Sequence, residues 1–335
     1  MKMRQHRIPV WGRIVWLIGL ALAFVVGSSP AWAVDYPQKG KTIQLIVGYA
    51  PGGASDVGAR TMARGLEKEL GVSVVVVNKP GANNQVALTQ LALSKPDGYT
   101  IGLAGFPVMV TSYLNPERKA AYNRKSFEPI VMHVKDVNLW AVKTTSPYKT
   151  LKELIEAAKA KPNTITIASG TMNEEQINIL QMQKLTGAQF VQVSFTTGQV
   201  AAMVAVLGGK VEVHVGHPAE TMGPVKNGDI RVLGVLDDKE SPLLPGVKTF
   251  EAQGYKVYSS SSRGYLLPAG TPKQIVDILA RAMKRVMDTE EHQKRMMALG
   301  APLWYLNSAQ FSKYWEESEK MVKEIAPEWS SGGTK

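Results

Sequence analysis

The sequence of 335 residues contains no cysteine, which excludes disulfides, thiolate nucleophiles and cysteine-bound metals. It also lacks the G-x-S-x-G motif of serine hydrolases and the H-E-x-x-H motif of zinc proteases. Only four histidines lie beyond residue 33. The sequence assembles no recognisable catalytic set, so we expect a binding protein without a cofactor rather than an enzyme.

Blocks of charge of one sign are also missing. The chain has 39 Lys and Arg against 28 Asp and Glu, a net charge of +11. Basic and acidic residues are interspersed, as in 64–69 and 316–323, which is typical of solvated helix faces. We therefore expect no nucleic-acid partner, although a positive surface can attract small anions.

The longest apolar segment is too short to cross a membrane. Residues 14–26 form an apolar run of 13 residues, whereas a spanning helix needs about 20. The run follows a leader with four Lys and Arg and precedes Ala31-Trp32-Ala33, which fits an A-x-A cleavage site. This predicts a signal peptide over 1–33, cleavage after Ala33 and a periplasmic protein. Cleavage leaves 35 basic against 28 acidic residues, a net charge of +7.

Beyond the leader, strand, loop and helix patterns alternate along the chain. Predicted strands such as 43–47 and 164–168 are each followed by a polar or glycine-rich loop and then by a helix pattern. This alternation predicts an α/β fold with parallel strands, in which ligands bind beyond the carboxyl ends of the strands. The length suits two lobes of ordinary domain size.

The first of these loops, residues 51–56, has the composition of an anion-binding cradle. It reads PGGASD between a buried strand and an apolar helix pattern. Its glycines let a ligand approach the backbone, and the N–H groups of the first helical turn attract negative charge. Asp56 either caps its helix or contacts the ligand or a bound water, and Tyr49 either lines the cleft or packs in the core. The candidate ligand-binding residues here are Tyr49, Pro51, Gly52, Gly53, Ala54, Ser55 and Asp56.

Two later loops offer hydroxyl groups and glycines at equivalent places. One follows the predicted strand 164–168, and the other precedes a helix that ends at Gly208-Gly209. Such residues often serve only as caps and turn formers, but three loops of this kind are expected to converge on one cleft. The candidate ligand-binding residues in these loops are Ser169, Gly170, Thr171, Asn173, Thr196, Thr197 and Gly198.

Six short motifs occur in a familiar order. They are PGGASD (51–56), NKPGA (78–82), PDGYT (96–100), LPGVKT (244–249), EAQGY (251–255) and PAGTP (268–272). In this order the chain resembles the periplasmic solute receptors of tripartite tricarboxylate transporters, often called Bug proteins. The similarity covers nearly the whole chain beyond the leader.

The resemblance implies a type II-like periplasmic binding protein that closes two lobes over a small organic acid. Each lobe would be a mostly parallel sheet flanked by helices, with one lobe at 34–133 plus 258–335 and the other at 134–257. The receptor would act as a monomer and deliver its ligand to a large and a small membrane subunit. In such proteins backbone N–H groups, hydroxyls and ordered waters hold the carboxylate, without a dedicated arginine.

Several residues depart from the family pattern or have two interpretations. The segment Met172-Asn173-Glu174-Glu175 adds bulk and negative charge near the expected cleft. His214 and His217 are expected on opposite faces of a strand, so no shared metal is predicted, while His217 reaches the cleft if it lies past the strand end. Phe106 follows a strand end and either forms an apolar wall of the cleft or packs in the core.

The alternatives to a transport receptor are an exported hydrolase and a receptor that reports to a sensor protein. Turnover of candidate solutes would identify the first, and neighbouring genes would separate the second from a transport receptor. Dicarboxylates, tricarboxylates and aromatic acids all remain open as ligands. The negative charge at 174–175 favours an acid with an apolar body over a citrate-like solute.

Overall fold

The structure is a computed structural model that describes residues 34–169, 173–195 and 199–331, with side chains as far as residue 327. The strands are β1 (Ile43–Val47), β2 (Val74–Asn78), β3 (Thr100–Phe106), β4 (Phe127–Val137), β5 (Leu139–Lys143), β6 (Thr166–Ser169), β7 (Val191–Ser194), β8 (Val213–Gly216), β9 (Ile230–Val235), β10 (Ser260–Pro268) and β11 (Leu303–Leu306). The helices are α1 (Ala54–Leu70), α2 (Gln85–Ala92), α3 (Val108–Leu114), α4 (Leu151–Ala160), α5 (Glu174–Thr186), α6 (Gln199–Leu207), α7 (Pro218–Lys226), α8 (Lys273–Asp288), α9 (Glu290–Ala298) and α10 (Ser308–Ser331).

Local sequence signals determine several of these elements. β1 has the predicted bounds because four of its five residues are apolar and buried. α4 begins at a capping box, in which the Thr150 hydroxyl accepts the Glu153 N–H and the Glu153 carboxylate accepts the Thr150 N–H. α8 buries an apolar stripe that includes Ile275, Leu279 and Val286.

The larger sheet has six strands in the order β11-β4-β10-β3-β1-β2. β1 pairs in parallel with β2 and β3, and the other three pairings are antiparallel. The carboxyl ends of β1 and β3 therefore lie at the same edge, where the loop 51–56 begins.

The smaller sheet has five strands in the order β7-β6-β8-β5-β9. β6 pairs in parallel with β7 and β8, whereas β5 is antiparallel to both of its neighbours. The predicted α/β fold with two lobes, one on each sheet, is confirmed. Both sheets are mixed rather than mostly parallel, because β10 and β11 run against the other strands of the larger sheet and β5 runs against its neighbours in the smaller sheet.

The chain changes sheets at Asn138, between β4 and β5, and returns after β9. The two crossing segments bind each other: the Asn138 N–H donates to Ser259 O, and the Leu236 N–H donates to Asn138 O, each at 2.9 Å. The Ser259 hydroxyl also donates to Asn138 Oδ1 at 2.6 Å. Asn138 is fully buried, so these bonds replace the water that its amide would otherwise bind.

Each sheet has its own apolar core. On the larger sheet the core is aromatic and includes Phe106, Phe311 and Trp315 from β3 and α10. On the smaller sheet it surrounds Trp140 of β5. The last helix buries Phe311, Trp315, Val322 and Ile325. In the described part of the chain, none of the helices combines the length and the apolar character needed to cross a membrane.

Candidate ligand-binding site

The loop 51–56 leaves the N-terminus of α1 open. Gly52 takes a left-handed backbone conformation with φ of +85°, which explains the glycine. Gly53 is the N-cap residue in an extended conformation, and it places no side chain on the first helical turn. Residues 51–54 are exposed. The first-turn N–H groups, which no intrahelical carbonyl can satisfy, are therefore accessible to an anion.

Asp56 supports this loop rather than facing a ligand. The side chain is only 3% exposed. Its carboxylate accepts the Gly52 N–H at 2.9 Å, Arg60 Nε at 3.0 Å and Asn78 Nδ2 at 2.8 Å. Burial alone would raise the pKa of Asp56, but these hydrogen bonds outweigh it and hold the pKa below its usual value. Its predicted ligand contact is therefore corrected to a role in holding the loop.

Arg263 of β10 places its positively charged guanidinium beside the cradle. Its Nη1 lies 3.5 Å from Ser55 Oγ, and its Nη2 lies 3.7 Å from Asp136 Oδ2. The side chain is 11% exposed, and among the described residues Nη2 has no hydrogen-bond partner. The resemblance implied a cradle without a dedicated arginine, and the structure places Arg263 beside the cradle although it is 208 residues away from Ser55 in the sequence. The sequence pattern of the loops does not predict that Arg263 lies beside them.

Two aromatic candidates have different surroundings. Burial raises the pKa of Tyr49 to about 12, while the charges of Arg263 and Glu174 act on its hydroxyl in opposite directions. Tyr49 is half-buried and stays a candidate for the cleft wall. Phe106 is 1% exposed and packs edge-on against Phe311 and Trp315, at centroid distances of 5.4 and 5.3 Å. Of its two interpretations, packing in the aromatic core is therefore the one that the structure supports.

The second loop is described only at its ends. Ser169 ends β6 with a buried hydroxyl that has no hydrogen-bond partner among the described residues. Asn173 caps α5, because its Oδ1 accepts the Gln176 N–H at 3.4 Å. The other candidates of the two later loops lie outside the described residues; they are Gly170, Thr171, Thr196, Thr197 and Gly198.

The structure also brings together Glu174, Glu175 and His217, which we call the acidic histidine cluster. β8 ends at Gly216, so His217 lies past the strand end as the N-cap residue of α7. Its Nε2 is 3.4 Å from Glu174 Oε1 and 3.4 Å from Glu175 Oε1, and its Nδ1 is 3.6 Å from Asp136 Oδ1. All three cluster residues are buried. The sequence indicated the charge at 174–175 but not its partner, which is more than 40 residues away.

Burial makes the charges of this cluster interdependent. Burial alone would lower the pKa of His217, but Asp136, Glu174 and Glu175 outweigh it and hold the pKa well above its usual value. Burial and the neighbouring charge of Glu174 raise the pKa of Glu175 to about 7. His214 lies apart from this cluster, with its Nε2 3.5 Å from Glu220 Oε1.

A cavity of about 510 Å³ adjoins the cluster at Glu174. Residues of both lobes line it, including Lys135, Tyr258, Trp304 and Tyr314. Two lysines line it: Lys135 forms an ion pair with Asp237, and Lys256 is exposed. The carboxylates of Glu174, Asp237 and Asp238 also line this cavity, which makes it less suited to an anion than the cradle at Arg263.

The chain matches known proteins over most of its length. A family model described as "Tripartite tricarboxylate transporter family receptor" (TctC) matches residues 58–329. A UPF0065 protein from the gbd 5' region of Cupriavidus necator is 30% identical over 334 residues, which cover 96% of each chain. BugT of Bordetella pertussis is 29% identical over 86% of this chain and 89% of its own.

Solved structures show the same fold. A TctC solute binding protein from Polaromonas has a TM-score of 0.79 at 23% identity, over 88% of this chain and 99% of its own. An R. palustris protein with adipate has a TM-score of 0.73 at 21% identity, over 88% and 99%. MatC from Rhodopseudomonas palustris with bound malate has a TM-score of 0.69 at 22% identity, over 86% and 99%. With the family model covering most of its residues, the chain belongs to the receptor family of tripartite tricarboxylate transporters, and is a solute-binding protein of the Bug type.

Proposed function

We propose that this protein binds a small organic carboxylate at the cradle of residues 51–56 and Arg263. One observation carries the proposal: the open N-terminus of α1 and the guanidinium of Arg263 meet at Ser55. Backbone N–H groups and a buried guanidinium are the donors that a carboxylate accepts most strongly. Between these donors the carboxylate exchanges its water shell for charge-assisted hydrogen bonds.

The end of the ligand that lies away from the cradle would face acidic side chains. Malate and adipate, which two structural neighbours hold, each carry two carboxylates. Here a second carboxylate would lie near the buried Glu174 and Glu175, and like charges at such short range are strongly unfavourable. In the absence of a bound cation, the proposed ligand is therefore an acid with one carboxylate at the cradle and a neutral or apolar body.

The proposed setting is the periplasm. The leader would be removed after Ala33, and the receptor would act as a monomer that binds its ligand without converting it. It would then deliver the ligand to a large and a small membrane subunit. N-terminal sequencing of the exported protein tests the cleavage: the expected first residue is Val34, and an intact leader on the exported protein would contradict it.

A thermal-shift comparison of organic acids with their neutral amides tests the cradle. A ligand at 100 times its dissociation constant stabilises the protein by about 2.7 kcal/mol. The acid is expected to raise the melting temperature and its amide is not, because the amide lacks the charge that Arg263 and the helix N-terminus attract. Equal stabilisation by acid and amide would reject the cradle. Assaying the recovered acid for conversion separates a receptor from an enzyme.

A further inference from the structure

We propose that Glu174, Glu175 and His217 form a binding site for one divalent transition-metal cation, for which Zn²⁺ is the best-matched probe. The donors are two carboxylate oxygens and one imidazole nitrogen, a set that Zn²⁺ and its neighbours prefer over Mg²⁺ or Ca²⁺. One such atom from each residue lies within 4.8 Å of the other two.

The distances fit a metal better than they fit hydrogen bonds. His217 Nε2 is 3.4 Å from each glutamate Oε1. An N–H···O hydrogen bond is shorter, about 2.7–3.2 Å. Donor atoms that sit about 2.1 Å from a tetrahedral Zn²⁺ lie about 3.4 Å from one another. The observed separations are therefore those of two edges of a zinc coordination tetrahedron.

Some polar atoms in and beside the cluster lack partners, although Glu175 Oε1 accepts a hydrogen bond from Gln199 Nε2 at 2.7 Å. The single Nε2 of His217 faces two carboxylates and carries at most one proton, so it cannot serve both. Glu175 is 1% exposed, and among the described residues its Oε2 has no hydrogen-bond partner. His217 Nδ1 and Asp136 Oδ1 likewise have no hydrogen-bond partner among the described residues. Buried polar atoms without partners are costly, and a cation bound by the glutamates removes that cost.

Asp136 is placed to orient the histidine. Metal-bound imidazoles commonly turn their second ring nitrogen toward a carboxylate, and His217 Nδ1 lies 3.6 Å from Asp136 Oδ1. The other oxygen of Asp136 lies 3.7 Å from Arg263 Nη2. Asp136 is thus a positioning residue that connects the proposed metal site to the cradle.

A bound cation changes which acids the receptor can hold, and this consequence rests on the proposed carboxylate function. Three protein ligands leave a tetrahedral Zn²⁺ one position for water or for an oxygen of the ligand. The cation also offsets the two glutamate charges that would repel a second carboxylate. We expect dicarboxylates to bind more tightly with Zn²⁺ present and monocarboxylates to change little.

The test begins with protein that has been stripped by a chelator and titrated with Zn²⁺ in the absence of organic acid. We expect about one Zn²⁺ per chain by calorimetry and elemental analysis. Glu175→Gln and His217→Gln should each weaken binding more than about tenfold, and Asp136→Asn by about 10- to 100-fold. Glu175→Gln relieves crowding of like charges, so it is expected to fold, which circular dichroism checks.

Two control variants address other sites. Glu212→Gln removes an exposed carboxylate of the same lobe, and His292→Gln disrupts the buried pair in which His133 Nε2 and His292 Nε2 are 2.8 Å apart. Both should retain wild-type Zn²⁺ affinity. No stoichiometric Zn²⁺ on the wild type, undiminished binding in Glu175→Gln, or loss of binding in His292→Gln would each overturn the site.

Acid binding is measured separately, on the metal-free protein with a monocarboxylate and then with a dicarboxylate with and without Zn²⁺. If the monocarboxylate binds but Zn²⁺ does not, the receptor proposal stands and the metal site falls. If Zn²⁺ binds but no acid does, the metal site stands and the carboxylate proposal falls.

Discussion

Two helices that begin near the proposed cleft, α1 and α5, use the same local geometry for opposite purposes. At α1 the N-cap residue is Gly53, which has no side chain, and the first-turn acid Asp56 turns back into the loop. At α5 the Asn173 side chain caps the helix, and the first turn carries Glu174 and Glu175. One helix start is thus open to an anion, whereas the other is capped and negatively charged.

The difference shows that the fold supplies helix starts and the side chains decide what each can bind. We call the start of α1 with Arg263 the positive side, because the Arg263 guanidinium lies beside Ser55. We call the start of α5 with Glu174 and Glu175 the negative side. His217 offsets part of its negative charge, because His217 Nε2 lies 3.4 Å from an oxygen of each glutamate. A ligand that contacts both sides must therefore be chemically different at its two ends, unless a cation changes the charge of the second side.

The largest expected effect comes from removing the Arg263 guanidinium, which lies beside the start of α1. Arg263→Met should weaken binding of the acid about 100-fold, because a hydrogen bond to a charged group contributes roughly 1.5–3 kcal/mol. Calorimetry of wild type and variant measures it. Arg64→Met is the matched control, since Arg64 lies farther along α1 and its side chain is exposed. Unchanged affinity in Arg263→Met would mean that the two helix starts do not differ as proposed.

The support of the open helix start is tested by Asp56→Asn. The variant keeps the size of the side chain but loses the charge that Gly52, Arg60 and Asn78 bind, so its free energy of unfolding should fall by about 2 kcal/mol at neutral pH. Urea unfolding measures it. Asp277→Asn is the control, because within the described residues Asp277 makes only an exposed i,i+4 ion pair with Lys273, which contributes about 0.5 kcal/mol or less.

The same variant gives a pH dependence with a defined sign. The pKa of Asp56 is below its usual value of 3.8 in the folded protein. Its stabilisation is therefore present above about pH 4 and is lost as the pH falls through the lowered folded value. The stability difference between wild type and Asp56→Asn should shrink below about pH 4. A difference that stays constant down to pH 2 would contradict this role of the carboxylate.

The sequence predicts what local chemistry determines. β1 has its predicted bounds because an apolar run determines it, and α4 begins at a capping box formed by two residues that lie close together in the sequence. Gly52 adopts a left-handed conformation with φ of +85°, which glycine tolerates without strain. The family motifs, each a short loop signature, add the fold and its two lobes.

What the sequence did not reveal depends on contacts between distant residues. Arg263 reaches Ser55, and His217 reaches Glu174, only because strands of mixed direction bring their ends together. Phe106 was ambiguous for the same reason, since Phe311 and Trp315 cover it from the last helix. Pattern analysis sees neighbours along one element, whereas these pairs are more than 40 residues apart.

A smaller effect is expected from filling the open helix start. In Gly53→Val the new side chain should hinder close approach of the carboxylate to the first-turn N–H groups and weaken binding about tenfold. Folding should be preserved, because the backbone is extended there and an added Cβ would lie 3.6 Å from Ala50 O, an ordinary contact. Gly53→Ala, with a smaller side chain, should give a smaller loss. Equal affinity in all three proteins would show that the ligand does not approach this turn.

The smallest expected effect is a change of shape, because contact with both helix starts requires the two lobes to approach each other. The chain crosses between the sheets at Asn138 and again after β9, and the two crossings are bonded to each other through Ser259 and Leu236. A pair of bonded crossings permits rotation of one lobe about the other, which is the geometry of a hinge. Small-angle scattering should therefore show a slightly smaller radius of gyration with saturating acid than without, against a value of roughly 19 Å for a compact chain of this size. The neutral amide of the acid is the control and should leave the radius unchanged. An acid that binds by calorimetry at an unchanged radius would show that the positive side alone holds it, and that the negative side takes no part in closure.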